Sequence, residues 1–389
     1  MSKQTTRREV IKGGVALAGL GALGFPEWGL PAMAQGETLM EFTDLPEGGV
    51  NRAPTPDRRR LDIRDIDGPL TPADQWFTTQ HYGHPEIDRA TYRLRVSGLV
   101  DSPLELSLAD LRGMPSRELV FGFECSGNGG PQNSLSSNGR WTGVPLRTVL
   151  ERAGVQARAR EFVFFGADRG DEEVVFRTAA PITVEQQYGR SLTRDLALSD
   201  EPFLAYDLNG EPLSVHQGRP LRLLMPGWYG APNVKWLSEI HVQEDQYLGK
   251  FQTHWYRTLK GEMVNGEMKW KETAITKMRL KSFIARVTAM GNRHKVLGVI
   301  MHDGTPIRSV EVKVDNGPWQ SATLDPSTPE KYSWKLFTYD WNGATPGEHS
   351  VISRVTDTDG NVQPTAEELE VKKTFLERNA QQARTLIIA

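Results

Sequence analysis

The chain has 389 residues and a mass of 43.5 kDa, enough for two domains of ordinary size. Its 46 Lys and Arg against 49 Asp and Glu leave a formal net charge of −3, which argues against nucleic acid or an anionic membrane as the main partner. A single cysteine, Cys125, excludes an internal disulfide, a four-cysteine zinc site and a cysteine-ligated iron–sulfur cluster.

At the N-terminus, Thr6-Arg7-Arg8-Glu9-Val10-Ile11-Lys12 reads as a twin-arginine export motif. A Gly/Ala-rich stretch follows, and Ala32-Met33-Ala34 fits a small-residue cleavage site, so residues 1–34 are expected to be a signal peptide and the protein periplasmic. The stretch is too short and too glycine-rich to span a bilayer, and no later segment is apolar for long enough. The leader carries Lys3, Arg7, Arg8 and Lys12 against Glu9 and Glu27, a net of +2, which leaves the remainder near −5. The twin-arginine route carries folded proteins, often with a cofactor already in place. A lone thiol sent to an oxidising compartment is being held back from disulfide chemistry.

Residues 35–272 read as one domain. Gly36 to Asp74, rich in Pro, Arg and Asp, is expected to be an extended arm over its surface. Tyr92–Val96 alternates like a half-buried strand, and Ser107–Arg112 has the form of a capped helical turn. Val120–Gly130 begins as an apolar, strand-like run and ends in Cys125-Ser126-Gly127-Asn128-Gly129-Gly130. Val144–Ala153 has helical spacing, with Leu146, Val149, Leu150 and Ala153 on one face and Gly154 as its stop. Glu161–Gly166 and Leu221–Met225 read as buried strands, giving a mixed α+β domain without a doubly wound pattern. Residues 273–376 change character. Val310, Val312 and Val314 alternate with charged residues, and turn pairs recur at Asp303-Gly304, Asn316-Gly317, Asn342-Gly343 and Asp359-Gly360. That pattern predicts an immunoglobulin-like antiparallel β-sandwich with Trp319 and Trp334 in its core or interface. The basic run Lys281–Lys295 reads as a solvated connection, and residues 377–389 as a C-terminal tail.

Cys125, at the mouth of a glycine loop that lets a bulky ligand approach, has three readings: a small buried hydrophobe, a nucleophile, or a lone thiolate ligand to a metal carried by a cofactor. Three ordered motifs bear on the choice. Phe123-Glu124-Cys125-Ser126-Gly127-Asn128 resembles the molybdenum-cysteine loop of the sulfite oxidase family. Arg140-Trp141-Thr142-Gly143-Val144-Pro145-Leu146 resembles the segment that follows it. Pro226-Gly227-Trp228-Tyr229-Gly230-Ala231-Pro232-Asn233-Val234-Lys235-Trp236-Leu237 resembles the family's pterin-phosphate segment. The resemblance covers nearly all of the chain beyond the leader, and the C-terminal sandwich looks like the family's dimerisation domain.

The resemblance implies a molybdenum–molybdopterin cofactor with Cys125 as its protein ligand. It places His81, Asp168, Gln217, Arg222, Asn233, Val234 and Lys235 at pterin-contacting positions, with His216 competing with Gln217. Two arginines of the family's substrate pocket fall at Thr79 and Gly130 and are therefore missing. Tyr256 is the candidate active-site tyrosine, although its spacing from His254-Trp255 departs from the family pattern, and Arg140 and Arg257 are candidate replacement cations. The implied activity is an oxygen-atom exchange between water and a small sulfur compound or a sulfur-carrier protein, with sulfane or sulfite dehydrogenases as the nearest branch. No Cys-x-x-Cys-His run is present, so no haem is expected in this chain and an external c-type cytochrome is the expected acceptor, whether in a homodimer or in a heteromer with a cytochrome subunit. The alternatives are a molybdopterin reductase of sulfoxides or other small neutral molecules, and a metal-free β-sandwich binding protein.

Overall fold

The computed structural model describes residues 32–45, 58–175, 177 and 180–389, so nearly all of the proposed leader lies outside the described residues. Its first unit is built on two sheets. One runs in the order Leu104–Leu106, Leu94–Gly98, Leu237–Gln243, Glu161–Val174, Ile182–Thr193. All its neighbours are antiparallel except Leu94–Gly98 and Leu237–Gln243, which run parallel. The other sheet runs Glu211–Pro212, Phe203–Leu208, Ser136–Pro145, Arg117–Glu124, with Arg222–Leu224 also on Phe203–Leu208.

Helices are few and short, and each has a local cause. Ser107 and Asp110 close a reciprocal capping box over Leu108–Arg112. The helix Leu146–Ala153 buries the predicted face of Leu146, Val149, Leu150 and Ala153 completely. It stops where Gly154 turns left-handed at φ +70°. This helix and the first sheet enclose a core that includes Leu94, Val96, Phe162, Phe164, Leu221, Leu223 and Ile240.

The second unit is a β-sandwich. One layer is ordered Thr38–Leu39, Lys281–Met290, Arg293–Met301, Lys335–Trp341, Thr323–Leu324, and the other Gln320–Ser321, Ile307–Val314, Gly347–Asp357, Ala383–Ile388. Ile284, Val287, Val296, Ile300, Val310, Val312, Val351, Val355 and Leu386 fill the space between them. Two additions come from segments read otherwise in the sequence. The arm supplies the edge strand Thr38–Leu39, and the tail supplies Ala383–Ile388, which pairs with Gly347–Asp357 along six residues. Trp334 is buried as expected, whereas Trp319 is half-exposed with the Arg354 guanidinium 4.3 Å above its ring.

The basic run Lys281–Lys295 is not a solvated connection. Lys281–Met290 is a strand whose first eight residues are all buried. Phe283 and Ala285 face a core shared with the first unit, while Ile284 and Val287 face the sandwich interior. A strand covered on both sides loses the polar alternation that would have revealed it. The shared core also holds Leu61, Ile63 and Ile66 of the arm, with Trp76, Phe121, Phe123, Trp141 and Trp334. Asn138 stitches the seam: its amide donates to the Pro69 carbonyl at 2.7 Å and to Ser333 Oγ at 2.9 Å.

Candidate functional site

The cysteine loop leaves the strand Arg117–Glu124 at the buried end of the seam, and its hydrogen bonds fix the position of the thiol. Cys125 N donates to Leu135 O at 2.9 Å, and Asn128 N donates to Cys125 O at 2.9 Å. Asn128 is buried. It donates to Glu124 Oε2 at 2.9 Å and accepts from Leu135 N at 3.1 Å. Glu124 and Lys281, each with a side chain only 1% exposed, face one another at 3.3 Å, and Lys281 also donates to Asn128 O at 2.7 Å. The loop is thus tied to the sandwich by a charge-assisted network. Burial pushes the Cys125 thiol upward, with Glu124 adding to the rise and the Arg58 and Lys235 cations pulling it back.

Cys125 opens into a cavity whose walls include Trp76, Thr78, Thr79, His81, Asp168, Tyr188, His216, Arg222, Asn233, Lys235 and Tyr256. Tyr256 follows a wide helical turn, Phe251–Trp255, which delivers its hydroxyl to His81 Nε2 at 2.8 Å. Burial, with help from Lys250, holds His81 down to about 4, so its imidazole is neutral near pH 7. The Tyr256 hydroxyl is pushed well above its ordinary range by burial and by neighbouring Tyr188 and Cys125. Behind it lies Arg190, buried, with its guanidinium 5.6 Å from the Tyr256 ring centre and donating to Phe251 O.

One wall is cationic. Arg222 is 3% exposed, lies over the rings of Trp141 at 5.2 Å and Phe123 at 5.5 Å, and donates to Gln217 O and Asn233 O. Desolvation brings it down to about 9. Lys235 donates to Thr78 Oγ1 at 3.0 Å and Gln80 Oε1 at 3.1 Å, and desolvation with Arg222 nearby lowers it to about 7. Among the described residues, neither makes an ion pair. Gly218 passes so close that an added Cβ would stand 2.8 Å from Lys235 Cβ, and its φ of +99° independently requires glycine. Asp168, on the same wall, is raised to about 6 by burial, against the pull of Lys235.

Seven of the expected site residues therefore meet in one cavity: Cys125, Tyr256, His81, Asp168, Arg222, Asn233 and Lys235. Three do not. Gln217 turns away; its amide accepts from Ser214 N and donates to Ala73 O, completing a cap, and the adjacent His216 faces the cavity instead. Val234 is fully buried in the first core. Arg140 lies along its strand and pairs with Glu118 at 3.0 Å outside the cavity, because the alternation of Ser136–Pro145 sends it to the opposite side from Trp141. Arg257 is likewise engaged elsewhere, with Glu272 at 3.1 Å. Thr79 lines the cavity, and a Cβ on Gly130 would meet nothing within 4 Å.

The sequence reading missed Tyr188, Arg190 and Arg58. The first two lie on Ile182–Thr193, a strand without a motif. Arg58 comes from the arm: the two-residue strand Arg58–Arg59 pairs with Thr78–Thr79, setting Arg58 directly opposite Thr79. Cross-strand partners share a face, so this arginine emerges beside the cavity wall where the family cation is absent.

The pocket suits a molybdenum pterin. Arg222 Nε, Asp168 Oδ1 and His216 Nδ1 are buried polar atoms without a partner, which is what a polar, anionic ligand would satisfy. A thiol and two cations lining the same cavity match a cofactor that carries both a metal and a phosphate.

Residues 81–255 match the family described as Oxidoreductase molybdopterin binding domain. The sulfite oxidase of Arabidopsis thaliana is 27% identical over 76% of this chain and 82% of its own length. The mitochondrial sulfite oxidase of Mus musculus is 28% identical over 77% of this chain and 58% of its own. A nitrate reductase [NADH] of Ulva prolifera is 31% identical over 49% of this chain. This chain spans 22% of that reductase and little more than half of the mouse enzyme. The crystal structure of the sulfane dehydrogenase SoxCD from Paracoccus pantotrophus superposes with a TM-score of 0.71 over 90% of this chain and 91% of its own, at 24% identity, and shares the fold. The protein is a molybdopterin oxidoreductase by fold and domain. Along about three quarters of its length it is similar to sulfite oxidases.

Proposed function

We propose that the protein is exported to the periplasm, oxidises an inorganic sulfur compound at molybdenum, and passes the electrons to a c-type cytochrome. One observation carries the reading: the Cys125 sulfur, the Tyr256–His81 pair and the Arg222–Lys235 wall share a single cavity. A bound molybdenum pterin supplies oxygen-atom transfer and two-electron exchange. The chain's own part is to ligate, orient and move protons. Cys125 offers one soft ligand. Arg222, Lys235 and the loop closed by Asn233 hold the phosphate end, and Asp168 and His216 meet the polar edge of the pterin. Tyr256 and His81 hold a proton next to the thiol in neutral groups, so the site takes up an anionic substrate without adding negative charge.

Arg58 beside Thr79 favours an anionic substrate. The names of the relatives, sulfite oxidase and sulfane dehydrogenase, agree with a sulfur substrate. The test is molybdenum analysis of protein exported by its own leader, followed by kinetics with sulfite, thiosulfate, carrier-bound sulfane and a neutral sulfoxide, using cytochrome c as acceptor for the oxidations. Bound molybdenum and oxidation of an anionic sulfur compound are expected. Turnover of the sulfoxide alone, with a reduced donor, would assign the chain to the reductase alternative, and a metal-free export product to the binding-protein alternative.

A further inference from the structure

The last segment of the chain runs along the outside of the cysteine loop and bonds to it repeatedly. Glu377 N donates to Ser126 O at 2.6 Å. Gln382 donates from Nε2 to Gly129 O at 3.5 Å and accepts from Asn133 Nδ2 at 2.9 Å. Arg384, buried, donates to Pro131 O and pairs with Asp44 at 3.0 Å. Close packing follows the same line. A Cβ on Gly129 would stand 3.0 Å from Arg378 Cδ, and one on Gly127 would stand 3.4 Å from the Phe375 ring and 3.8 Å from the Cys125 sulfur. A run of Ser-Gly-Asn-Gly-Gly loses more freedom than most sequences when it is held in one shape, and these outside contacts offset that loss.

The segment is itself fastened to the rest of the molecule. Lys373 N donates to Leu259 O at 2.9 Å, Asn379 Nδ2 to Leu280 O at 2.9 Å, and Gln381 N to Pro364 O at 2.8 Å. Leu376 is buried in the core shared by the two units, and from Ala383 onward the chain is a strand of the sandwich. Between these anchors Glu377 has φ +54°, left-handed for a residue that is not glycine. Its side chain is 1% exposed, with Lys372 at 3.5 Å and Arg279 at 3.7 Å from the carboxylate oxygens. Lys372 also donates to the Glu377 carbonyl at 2.6 Å. A left-handed backbone and a buried carboxylate are both locally unfavourable and persist only where the surroundings over-determine them. Here they turn the Glu377 N–H onto the residue that follows Cys125.

We infer that residues 375–384 are a clasp that pre-organises the cysteine loop, so that the Cys125 sulfur stands in place before a cofactor arrives. Glu377 and Gln382 are positioning residues: neither lines the cavity, and both act through the thiol. The inference rests on Cys125 as the ligand to molybdenum and on no particular substrate. A ligand fixed in advance gives up less freedom on binding, so the clasp strengthens retention of the metal.

The test compares wild type, Glu377→Pro and Gln382→Ala, each cofactor-free and molybdenum-loaded. Proline has no N–H and cannot adopt φ +54°, so it breaks the contact with Ser126. Should that variant fail to fold, Gln382→Ala decides. In the cofactor-free wild type, backbone hydrogen exchange over residues 125–135 is expected to be slow. In Gln382→Ala it should be about tenfold faster, as for the loss of two ordinary hydrogen bonds, while the core strands around Phe164 and Ile284 stay unchanged. The loaded variants should lose molybdenum faster during dialysis and show a shifted visible absorption of the bound metal. A cofactor-free wild-type loop that exchanges as fast as the variants' overturns the clasp. So do core strands that speed up in step with the loop, or an opened loop with metal loss and absorption unchanged. A wild type that takes up no molybdenum overturns the reading of Cys125 as ligand, and the role of the clasp with it.

Discussion

Glu124 and Lys281 place opposite charges 3.3 Å apart where both side chains are almost fully buried, directly before the thiol that the site depends on. Removing one member strands the other charge in a medium that cannot solvate it. Lys281→Met should therefore cost about 3–5 kcal/mol, read as a lower urea midpoint. Glu124→Gln/Lys281→Met should recover much of that loss. Equal destabilisation by the single and double variants would mean the pair is not coupled. At Cys125 the expectation is different. Cys125→Ser keeps the volume but replaces a soft ligand with a hard one, so turnover should collapse while the melting temperature holds. Near-normal turnover in fully molybdenum-loaded Cys125→Ser would remove the thiol from the site. Cys125 was legible in the sequence because nothing else competes with it. Its anchor was not, because Lys281 stands 157 positions from Glu124 and no spacing rule connects the two. Arg140 failed for a related reason: a motif marks a segment, but strand alternation decides which of its side chains faces the cavity.

Elements with a local cause were read correctly. The capping box at Ser107 and the glycine stop at Gly154 are both present. Elements defined by tertiary cover were misread, and Lys281–Met290 is the clearest case, since apolar contact on both faces left no alternation to detect. The pairing of Arg58–Arg59 with Thr78–Thr79 is another, because two-residue strands carry no periodic signal. That small ribbon has a functional consequence. If Arg58 supplies the cation missing at Thr79, Arg58→Ala should weaken anionic substrates and leave kcat nearly unchanged. A charge-assisted hydrogen bond is worth about 1.5–3 kcal/mol, and roughly 1.4 kcal/mol is tenfold. Arg58 is exposed, so screening favours the low end, and a rise in KM for sulfite of about tenfold is expected at low salt. A neutral sulfoxide should show no such change. An unaltered sulfite KM would leave substrate recognition to other residues.

Across the whole molecule, the two-unit plan could be read from the change of periodicity, while the continuous core joining the units could not, because its residues come from the arm, the first unit and the sandwich. That joint core makes the cofactor wall part of the global stability. Lys235 is lowered from 10.5 to about 7 in the folded protein, chiefly by desolvation. For a base with a depressed pKa, the unfolded chain holds its proton between those two values and the folded chain does not. This group's contribution to stability therefore rises with pH from about 7 to about 10.5, and its full penalty is present below about 7. An anion bound at the wall reverses the balance by favouring the protonated amine. Sulfate, which carries the same charge throughout this range, is a suitable probe. Protein freed of molybdopterin should gain more melting temperature from sulfate at pH 6 than at pH 8.5, and Lys235→Met should reduce the difference to the part contributed by Asp168, which also loses its proton over this range. Arg222→Lys should leave the pH trend in place, because Lys235 still titrates, while weakening sulfate at both pH values through loss of the guanidinium fork. A sulfate effect that is the same at both pH values in the wild type would show that Lys235 is not part of the anion wall.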